Sequence, residues 1–389
     1  MNPEESSFRL GVAHSVASIV VAALAPILGA IADRGGAKKK FLFLFAFLGI
    51  VMTGALPLVA RGDVFPAIAL FVLAVVGWSG ANTVYDSLIV SVAREKKLDA
   101  VSALGFSLGY LGGGILFLLN VLMVSHPETF GLADKAAAVK ASFVTVAAWW
   151  AVFSIPVLLF VKEPEVVDRV RGFAAIRAGL QQVRSTIREI RRLKVVGLFL
   201  LAYWLYIDGV DTIIRMAVDY GKSIGFSTDN LILALLIVQF VGFPAAIAFG
   251  KLGERIGAKR GVFIGIAVYV AVCVWGFRMT AVWEFYVLAV AVGLVQGGVQ
   301  ALSRSLFARM VPEGREAQFF GFYNMVGKYA AVIGPAMMSG VGLLTGSPRI
   351  GILSVIILLA AGAYLLSKVD VEEGRRRAAE LGGRDPVHR

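Results

Sequence analysis

Three charged side chains lie in the interior of one apolar stretch of the sequence, residues 195–219. Asp208, Asp211 and Arg215 are separated by three and four positions, so an α-helix would place all three on one face. A charged group inside an apolar helix is costly and usually serves a function. This face could form an internal ion pair, bind a charged ligand or carry a proton. For Arg215, near the end of the stretch, pairing with Asp211 or reaching the polar membrane interface explains the charge equally well.

A basic side chain and several amides occupy similar positions in later apolar stretches. Lys328 lies near the middle of 318–343, where it needs a partner, and an aspartate of 195–219 is the natural one. The further candidates for the lining of a polar cavity are Gln239, Gln296, Gln300 and Asn324, with Tyr206 close to Asp208. Each amide alone could equally join two helices by a hydrogen bond.

An acid and a base in the middle of a membrane would suit a zwitterion, with an aspartate holding an ammonium group and Lys328 holding a carboxylate. Asp208 has no evident local partner in the sequence, so we predict a functional role for it, in binding or as a proton carrier. The predicted substrate-binding set is Asp208, Asp211, Lys328, Gln296, Gln300, Asn324 and Tyr206. The residues alone indicate only a polar centre, and sugars, peptides or drugs remain alternatives.

The elements that position these residues are membrane-spanning helices. Of the 389 residues, 58% are hydrophobic and 16% are charged, against roughly 25% charged in average soluble domains. Apolar stretches long enough to cross a bilayer recur without the alternation typical of a β-barrel, so we predict an all-α polytopic membrane protein. The predicted spans, about eleven, are 11–33, 41–60, 65–90, 100–124, 141–161, 195–219, 229–253, 261–279, 282–309, 318–343 and 349–369.

One cysteine and three scattered histidines offer neither a disulfide nor a metal site, and we predict no cofactor.

Lysine and arginine are concentrated on one side of these spans. The segments concerned are 34–40, 91–99, 161–194, 251–260, 309–317 and 367–389. This asymmetry predicts that they and the C-terminus are cytoplasmic, in a multi-pass protein of the cytoplasmic membrane. The net charge of +12 is thereby a topology signal, and no nucleic-acid partner is needed to explain it. We predict that 162–194 forms amphipathic helices on the lipid bilayer surface and that the tail, 370–389, is disordered.

One polar motif occurs twice in the same direction. LGAIADRGGAKKKF, 28–41, matches FGKLGERIGAKRGV, 249–262. The matching pairs are Gly29/Gly250, Asp33/Glu254, Arg34/Arg255, Gly36/Gly257, Ala37/Ala258 and Lys38/Lys259. A second pair of stretches, GANTVYDSL and GVQALSRSL, aligns Asp86 with Arg304. Parallel repeats of this kind predict two similar helix bundles, 1–161 and 195–369, joined by the linker 162–194.

The first motif resembles the signature loop of the Major Facilitator Superfamily, which has the pattern G-x-x-x-D-R-x-G-x-K-[KR] and a degenerate second copy. LLAYWLYIDGVDTI, GLVQGGVQALSRSLFARMVPE and GFYNMVGKYAAVIGP resemble its vacuole-effluxer branch, the autophagy-related amino-acid effluxers of yeast vacuoles and their prokaryotic relatives. The resemblance covers nearly the whole chain. It implies the superfamily fold of two pseudo-symmetric helix bundles, with amino acids as the substrates.

The number of predicted spans departs from that family. The family has twelve helices and places its signature loop after the second, whereas here the loop follows the first predicted span. The helix that corresponds to the family's first is therefore missing from the predicted set. A start codon assigned too late or a truncated gene would explain the difference, and a protein that naturally lacks this helix is the alternative.

The repeated motif has a structural interpretation that explains most of its residues. Gly35 and Gly36 permit the tight turn between two antiparallel helices, and the lysines that begin at Lys38 anchor the topology. Neither role needs an acid at Asp33, nor at Glu254 in the second copy.

We therefore predict a latch at the cytoplasmic face, which the resemblance also implies. Asp86 and Arg304 end spans at this face, where they could pair with Arg34 or Lys38 in one half and with Glu254 in the other. Such pairs would hold the cytoplasmic ends together and break when the two halves move. The predicted gating set is Asp33, Arg34, Lys38, Asp86, Glu254, Arg255 and Arg304.

Taken together, these features favour secondary transport of a small polar solute by alternating access, with amino acids as the expected substrates and protons as a candidate coupling ion. The sequence has no Walker loop and no catalytic motif, so we predict neither ATP-driven transport nor an enzyme. The alternatives are a nutrient sensor or lipid-handling protein on the same scaffold, an intramembrane enzyme, or a fragment without activity. We expect a monomer in the bilayer.

Overall fold

The protein consists of long helices over the residues that the structure describes. This computed structural model describes residues 25–33, 37–60, 62–163, 194–329 and 332–381, except for the side chains of 328 and 329. The helices are α1, which ends at 33, α2 (Lys38–Ala55), α3 (Val64–Ser87), α4 (Leu98–Ser125), α5 (Lys135–Phe160), α6 (Lys194–Ser223), α7 (Thr228–Ile256), α8 (Ala258–Arg278), α9 (Val282–Ala308), α10 (Glu316–Tyr329), α11 (Ile333–Thr345), α12 (Pro348–Ser367) and α13 (Val371–Leu381).

Nine of the described helices are long and apolar enough to cross a membrane. They are α2 to α9 and α12, whereas α11 is apolar but shorter. The all-α membrane fold predicted from composition is confirmed. The predicted count of spans is not reached among the described residues, because α1 is only the end of the predicted first span and 11–24 lie outside them.

The predicted span 318–343 is divided into two helices. α10 ends at Tyr329 and α11 begins at Ile333. Pro335 lies in the first turn of α11, where its missing N–H interrupts no helical hydrogen bond. Proline alone does not explain the division, because α5 and α7 continue through Pro156 and Pro244. A second cause, a carboxylate bound to the first turn of α11, is described with the site.

The first of two compact units contains the described parts of 1–92, 115–186 and 314–325. Within it, α2 packs against both α3 and α5. A Cβ atom on Gly77 would lie 2.4 Å from the backbone nitrogen of Gly49, so only glycine lets α2 and α3 approach this closely. Small residues at a helix crossing provide close contact where lipid removes the hydrophobic drive for association.

The second unit contains the described parts of 93–114, 187–313 and 326–389. In this unit α7 packs against α9, α6 packs against α12, and α8 packs against both α9 and α12. The helix α6, which carries the candidate aspartates, is the most enclosed together with α9. Of its candidate residues, Asp208 is buried, Asp211 is partly exposed and Arg215 is exposed.

Two segments group with the opposite half of the sequence. Residues 93–114 belong to the second unit and 314–325 to the first, whereas the sequence predicted bundles of 1–161 and 195–369. The helix α4 changes unit between Gly114 and Ile115, directly after three consecutive glycines. The cause of this grouping is a set of polar contacts at the beginnings of α4 and α10.

The tail differs from its prediction, because 371–381 form the helix α13. Gly374 and Ala378 are buried, and a Cβ atom on Gly374 would lie 2.8 Å from the sulfur of Met310. The guanidinium of Arg375 donates to the carboxylate of Glu95 at 2.8 Å. Disorder was predicted from the polar composition, but an amphipathic helix with a small-residue face binds the protein despite that composition. Residues 382–389 and 164–193 of the tail and linker lie outside the described residues.

We expect Gly374→Leu to displace α13, because its side chain would overlap Met310 and Val195. Overpacking of this kind costs about 1–3 kcal/mol. Trypsin should then cleave the purified protein faster at Arg375–Arg377, and the matched control Glu380→Leu, on the exposed face, should leave the rate unchanged. Equal cleavage rates for the two variants and the unmodified protein would contradict the docking of α13.

Candidate functional site

A lysine between two carboxylates joins the first copy of the motif to the beginning of α10. The Nζ atom of Lys38 lies 2.9 Å from Asp33 Oδ1 and 2.8 Å from Glu316 Oε2. The exposed fractions of the three side chains are 5%, 0% and 9%, in the order Lys38, Asp33 and Glu316. Such a buried cluster depends on its cation, because losing Lys38 would leave two buried carboxylates without a countercharge. We name Asp33, Lys38 and Glu316 the first junction.

Asp33 also binds the backbone of α10. Its Oδ1 accepts from the N–H of Ala317 at 3.1 Å, and its Oδ2 accepts from the N–H of Gln318 at 2.8 Å. The N–H groups of a first helical turn have no partner within the helix and carry a partial positive charge. The carboxylate of Asp33 therefore caps α10 from another part of the chain, which explains why the motif needs an acid at this position.

The glycine of the motif allows this capping. A Cβ atom on Gly29 would lie 2.2 Å from the carbonyl oxygen of Ala317. On the facing side, a Cβ atom on Gly321 would lie 2.7 Å from the carbonyl oxygen of Ala25. The backbones of α1 and α10 are thus in direct contact, and a side chain at either glycine would separate Asp33 from the N–H groups that it binds.

A second polar cluster joins the C-terminal end of α9 to the beginning of α4. Asp99 Oδ1 accepts from Ser305 Oγ at 2.5 Å and from Arg309 Nη1 at 2.9 Å. Arg304 donates to the hydroxyl and the carbonyl of Ser102, at 2.9 and 3.0 Å. The guanidinium carbon of Arg304 also lies 4.6 Å from the centre of the Phe106 ring. We name Asp99, Ser102, Arg304, Ser305 and Arg309 the second junction.

The two junctions share a backbone geometry that follows the sequence repeat. A Cβ atom on Gly250 would lie 2.5 Å from Ala103 Cβ and 3.4 Å from the carbonyl oxygen of Asp99. This contact has the same form as that of Gly29 with the carbonyl oxygen of Ala317. The repeat therefore conserves a close helix contact in each unit, at the beginning of α4 and at the beginning of α10.

The predicted gating residues lie in these regions, but with partners that the sequence did not predict. Lys38 pairs with Asp33 and Glu316, and Glu254 pairs with Lys97 at 3.1 Å. Asp86 accepts from the amide of Asn324 at 3.2 Å. Arg255 is exposed, and Arg34 lies outside the described residues.

Glu316, Asp99 and Ser102 are junction residues that sequence analysis missed. The signal was present, since an acid in a strongly basic segment, predicted to be cytoplasmic, opposes the topology signal and needs another explanation. That argument selected Asp33 and Glu254, and it applies equally to Asp99 and Glu316 at the beginnings of their helices. Ser102 carried no comparable signal.

Asp208 is held by the first turn of α11. Its side chain is fully buried, and Oδ1 accepts from the N–H of Gly334 at 3.0 Å. The hydroxyl of Thr212 donates to the backbone carbonyl of Asp208 at 2.6 Å. Oδ2 has no hydrogen-bond partner within the part of the chain that the structure describes. The sequence showed no local partner because Gly334 is distant in the chain, and this contact is the second cause of the division between α10 and α11.

Two residues of the predicted substrate-binding set have other partners. Tyr206 is fully buried, and its hydroxyl lies 2.7 Å from that of Ser303, so it joins α6 to α9. Asn324 binds Asp86 in the first unit, whereas Asp208 and Asp211 lie in the second. Both residues thus have protein partners in this structure, and their place in the substrate site stays a prediction.

Asp211 of α6 is partly exposed. In the same unit the Tyr110 hydroxyl of α4 donates to Gln300 Oε1 of α9 at 3.4 Å, and Gln296 lies one turn away from Gln300 on α9. The side chain of Lys328, the predicted base, lies outside the described residues.

We expect Lys38→Met to destabilise the protein by about 3–5 kcal/mol, because it leaves two buried carboxylates without their cation. Adding Glu316→Gln should recover part of this loss, since only one carboxylate then remains. Thermal unfolding of the purified protein measures both effects, with Lys40→Met at an exposed position as the control. A double variant no more stable than Lys38→Met would contradict the charge balance assigned to the first junction.

Comparisons with known proteins agree with this architecture. A model of the family described as "Vacuole effluxer Atg22 like" matches residues 3–379. The chain is 38% identical over 377 residues to the uncharacterized MFS-type transporter YxiO of Bacillus subtilis (strain 168), covering 95% of this chain and 86% of that protein. It is 29% identical over 329 residues to autophagy-related protein 22 of Yarrowia lipolytica (strain CLIB 122 / E 150). This match covers 75% of the chain and 54% of the fungal protein, so the chain spans about half of that relative's length.

Solved structures with similar folds are transporters of the same superfamily. The fucose:proton symporter FucP of E. coli superposes with a TM-score of 0.71 at 13% identity, covering 94% of this chain and 92% of that one. The proton:xylose symporter XylE gives a TM-score of 0.71 at 13% identity, covering 98% and 90%. At such identity the likeness shows the fold alone. By its family match and its relatives, the chain belongs to the vacuole effluxer Atg22-like family and is a multi-pass membrane transporter of the Major Facilitator type, not an enzyme.

Proposed function

We propose that the protein is a secondary active transporter that moves amino acids by alternating access. The observation that carries the proposal is that α6, a membrane-length helix, has two carboxylates in its interior, the buried Asp208 and the partly exposed Asp211. A membrane helix retains such a charge at a cost, and an accessible polar site for a solute explains why it is retained.

The two junctions support the alternating-access part of the proposal. Each holds the beginning of one helix against helices from the other half of the sequence, through charged and hydroxyl groups rather than an apolar surface. Water can satisfy these groups once they separate, so such contacts can open and close. We propose that both junctions are gates at the cytoplasmic face, with Asp33, Lys38, Asp86, Glu254 and Arg304 among their residues.

The amino-acid class rests on charge complementarity and on the family. A zwitterion needs an acid and a base, which Asp211 and Lys328 would supply, and Gln296 and Gln300 would bind its polar atoms. The family is described as vacuole effluxers, which supports a small metabolite as the solute. For the location we propose the cytoplasmic membrane with a cytoplasmic C-terminus, from the distribution of Lys and Arg. We propose a monomer as the transporting unit.

Counterflow tests the function directly. The full chain is reconstituted in proteoliposomes loaded with unlabelled amino acids, and uptake of each labelled amino acid is measured without any ion gradient. We expect transient accumulation of at least one amino acid, at least tenfold weaker with Asp211→Asn because the ligand's countercharge is removed. A sensor would bind without counterflow. Folded protein that exchanges none of the standard amino acids would refute the proposal.

We also propose Asp208 as the proton carrier, and Asp208→Asn separates that role from its structural one. The amide oxygen of asparagine can still accept from the N–H of Gly334, so α11 should remain in place. The variant should therefore keep counterflow but lose accumulation driven by a proton gradient. If Asp208→Asn accumulates the solute as well as the unmodified protein, Asp208 does not carry the coupled proton.

A further inference from the structure

We propose that the tail helix α13 acts as a clasp, which holds the second junction closed and thereby slows transport. The inference rests on the proposed function, in which the second junction is a gate at the cytoplasmic face. All the residues concerned belong to the second unit, so the clasp and the junction that it holds are parts of one compact body.

The helix α13 contacts both sides of the second junction, which are the beginning of α4 and the end of α9. On the α4 side, Arg375 Nη2 lies 2.8 Å from Oε2 of Glu95, in the short turn that leads directly into α4. On the α9 side, a Cβ atom on Gly374 would lie 2.8 Å from the sulfur of Met310, the residue directly after Arg309. Neighbouring residues of one helix thus bind the two elements that the junction joins.

The beginning of α13 is fixed by the second copy of the repeated motif. Lys259 Nζ donates to the carbonyl oxygens of Ser367 and Val369, at 3.0 and 2.7 Å. These carbonyls end α12, and α13 begins two residues later at Val371. The matching lysine of the first copy, Lys38, lies within the first junction. The lysine of the second copy therefore acts at its junction through α13, which explains why the second junction itself contains no lysine.

The contacts of α13 are weaker than the junction that they cover. The exposed fractions of the Arg375 and Glu95 side chains are 37% and 29%, whereas that of Asp99 in the junction is 3%. Only Gly374 and Ala378 of α13 are buried. A helix of this length is marginal on its own in water, so α13 depends on docking. Such a helix can leave its site while the rest of the unit stays folded, as a releasable clasp requires.

The same contacts could belong to an anchor that only completes the fold, and the direction of the effect on transport separates the two roles. Losing an anchor leaves transport unchanged or slows it, because the protein is less well ordered. Losing a clasp makes the gate open more readily and transport faster. A partly exposed ion pair changes an equilibrium by about fivefold at most, so the expected effect is modest.

Hydrogen–deuterium exchange of the purified full chain tests the clasp in the variant Arg375→Glu, which opposes two like charges. We expect amide exchange to become about twofold to fivefold faster at the beginning of α4 and the end of α9, because opening no longer breaks the ion pair. In proteoliposomes, counterflow by this variant should be faster by a similar factor.

The exchange of charges supplies the rescue. Adding Glu95→Arg to Arg375→Glu restores opposite charges, so junction exchange and counterflow should return to the rates of the unmodified protein. Arg376→Glu is the matched control, because it makes the same charge change at an exposed position of α13. It should leave both rates unchanged.

Faster exchange confined to α13 in Arg375→Glu, with none at the junction, would overturn the clasp. Faster junction exchange combined with unchanged or slower counterflow would overturn it as well, and so would failure of the double variant to recover. Faster junction exchange that the double variant reverses, in a protein that shows no counterflow even when unmodified, supports the clasp and refutes transport.

Discussion

Buried carboxylates bound to the beginnings of helices are the interaction on which the rest of the structure depends. Asp33 binds the first N–H groups of α10, and Asp208 binds the N–H of Gly334 in α11. An ionised group within a membrane protein is costly unless its charge is matched, and the partial positive charge of a helix beginning provides such a match. The beginnings of α10 and α11 are thereby each bound by an acid from another helix.

The two junctions share a close backbone contact at a glycine but use different polar side chains. The close backbone contacts at Gly29 and Gly250 correspond to each other, whereas the charges around them are arranged differently. The first junction balances one lysine against two carboxylates, and the second uses serine hydroxyls and two arginines around Asp99. Both copies of the motif therefore have a close helix contact that leaves no room for a side chain at the glycine. The polar groups around that contact differ between the copies.

Sequence analysis predicted the class of fold, the repeat and the position of the motif, because these follow from hydropathy and from identity between stretches. It did not predict partners. The sequence showed no local partner for Asp208 because Gly334 is far away in the chain, and it did not show that Tyr206 bonds to Ser303 or Asn324 to Asp86. The tail helix α13 was missed because its composition is polar and its stability comes from docking. Sequence periodicity shows which residues share one face of a helix, but not which other helix or side chain packs against that face.

The three glycines at 112–114 have a mechanical consequence for α4. α4 belongs to the second unit before Ile115 and to the first unit after it, and the glycines lie directly before that boundary. Each glycine lowers helix stability by about 1 kcal/mol relative to alanine. Bending of α4 therefore costs least where the helix passes from one unit to the next, although the helix is continuous there.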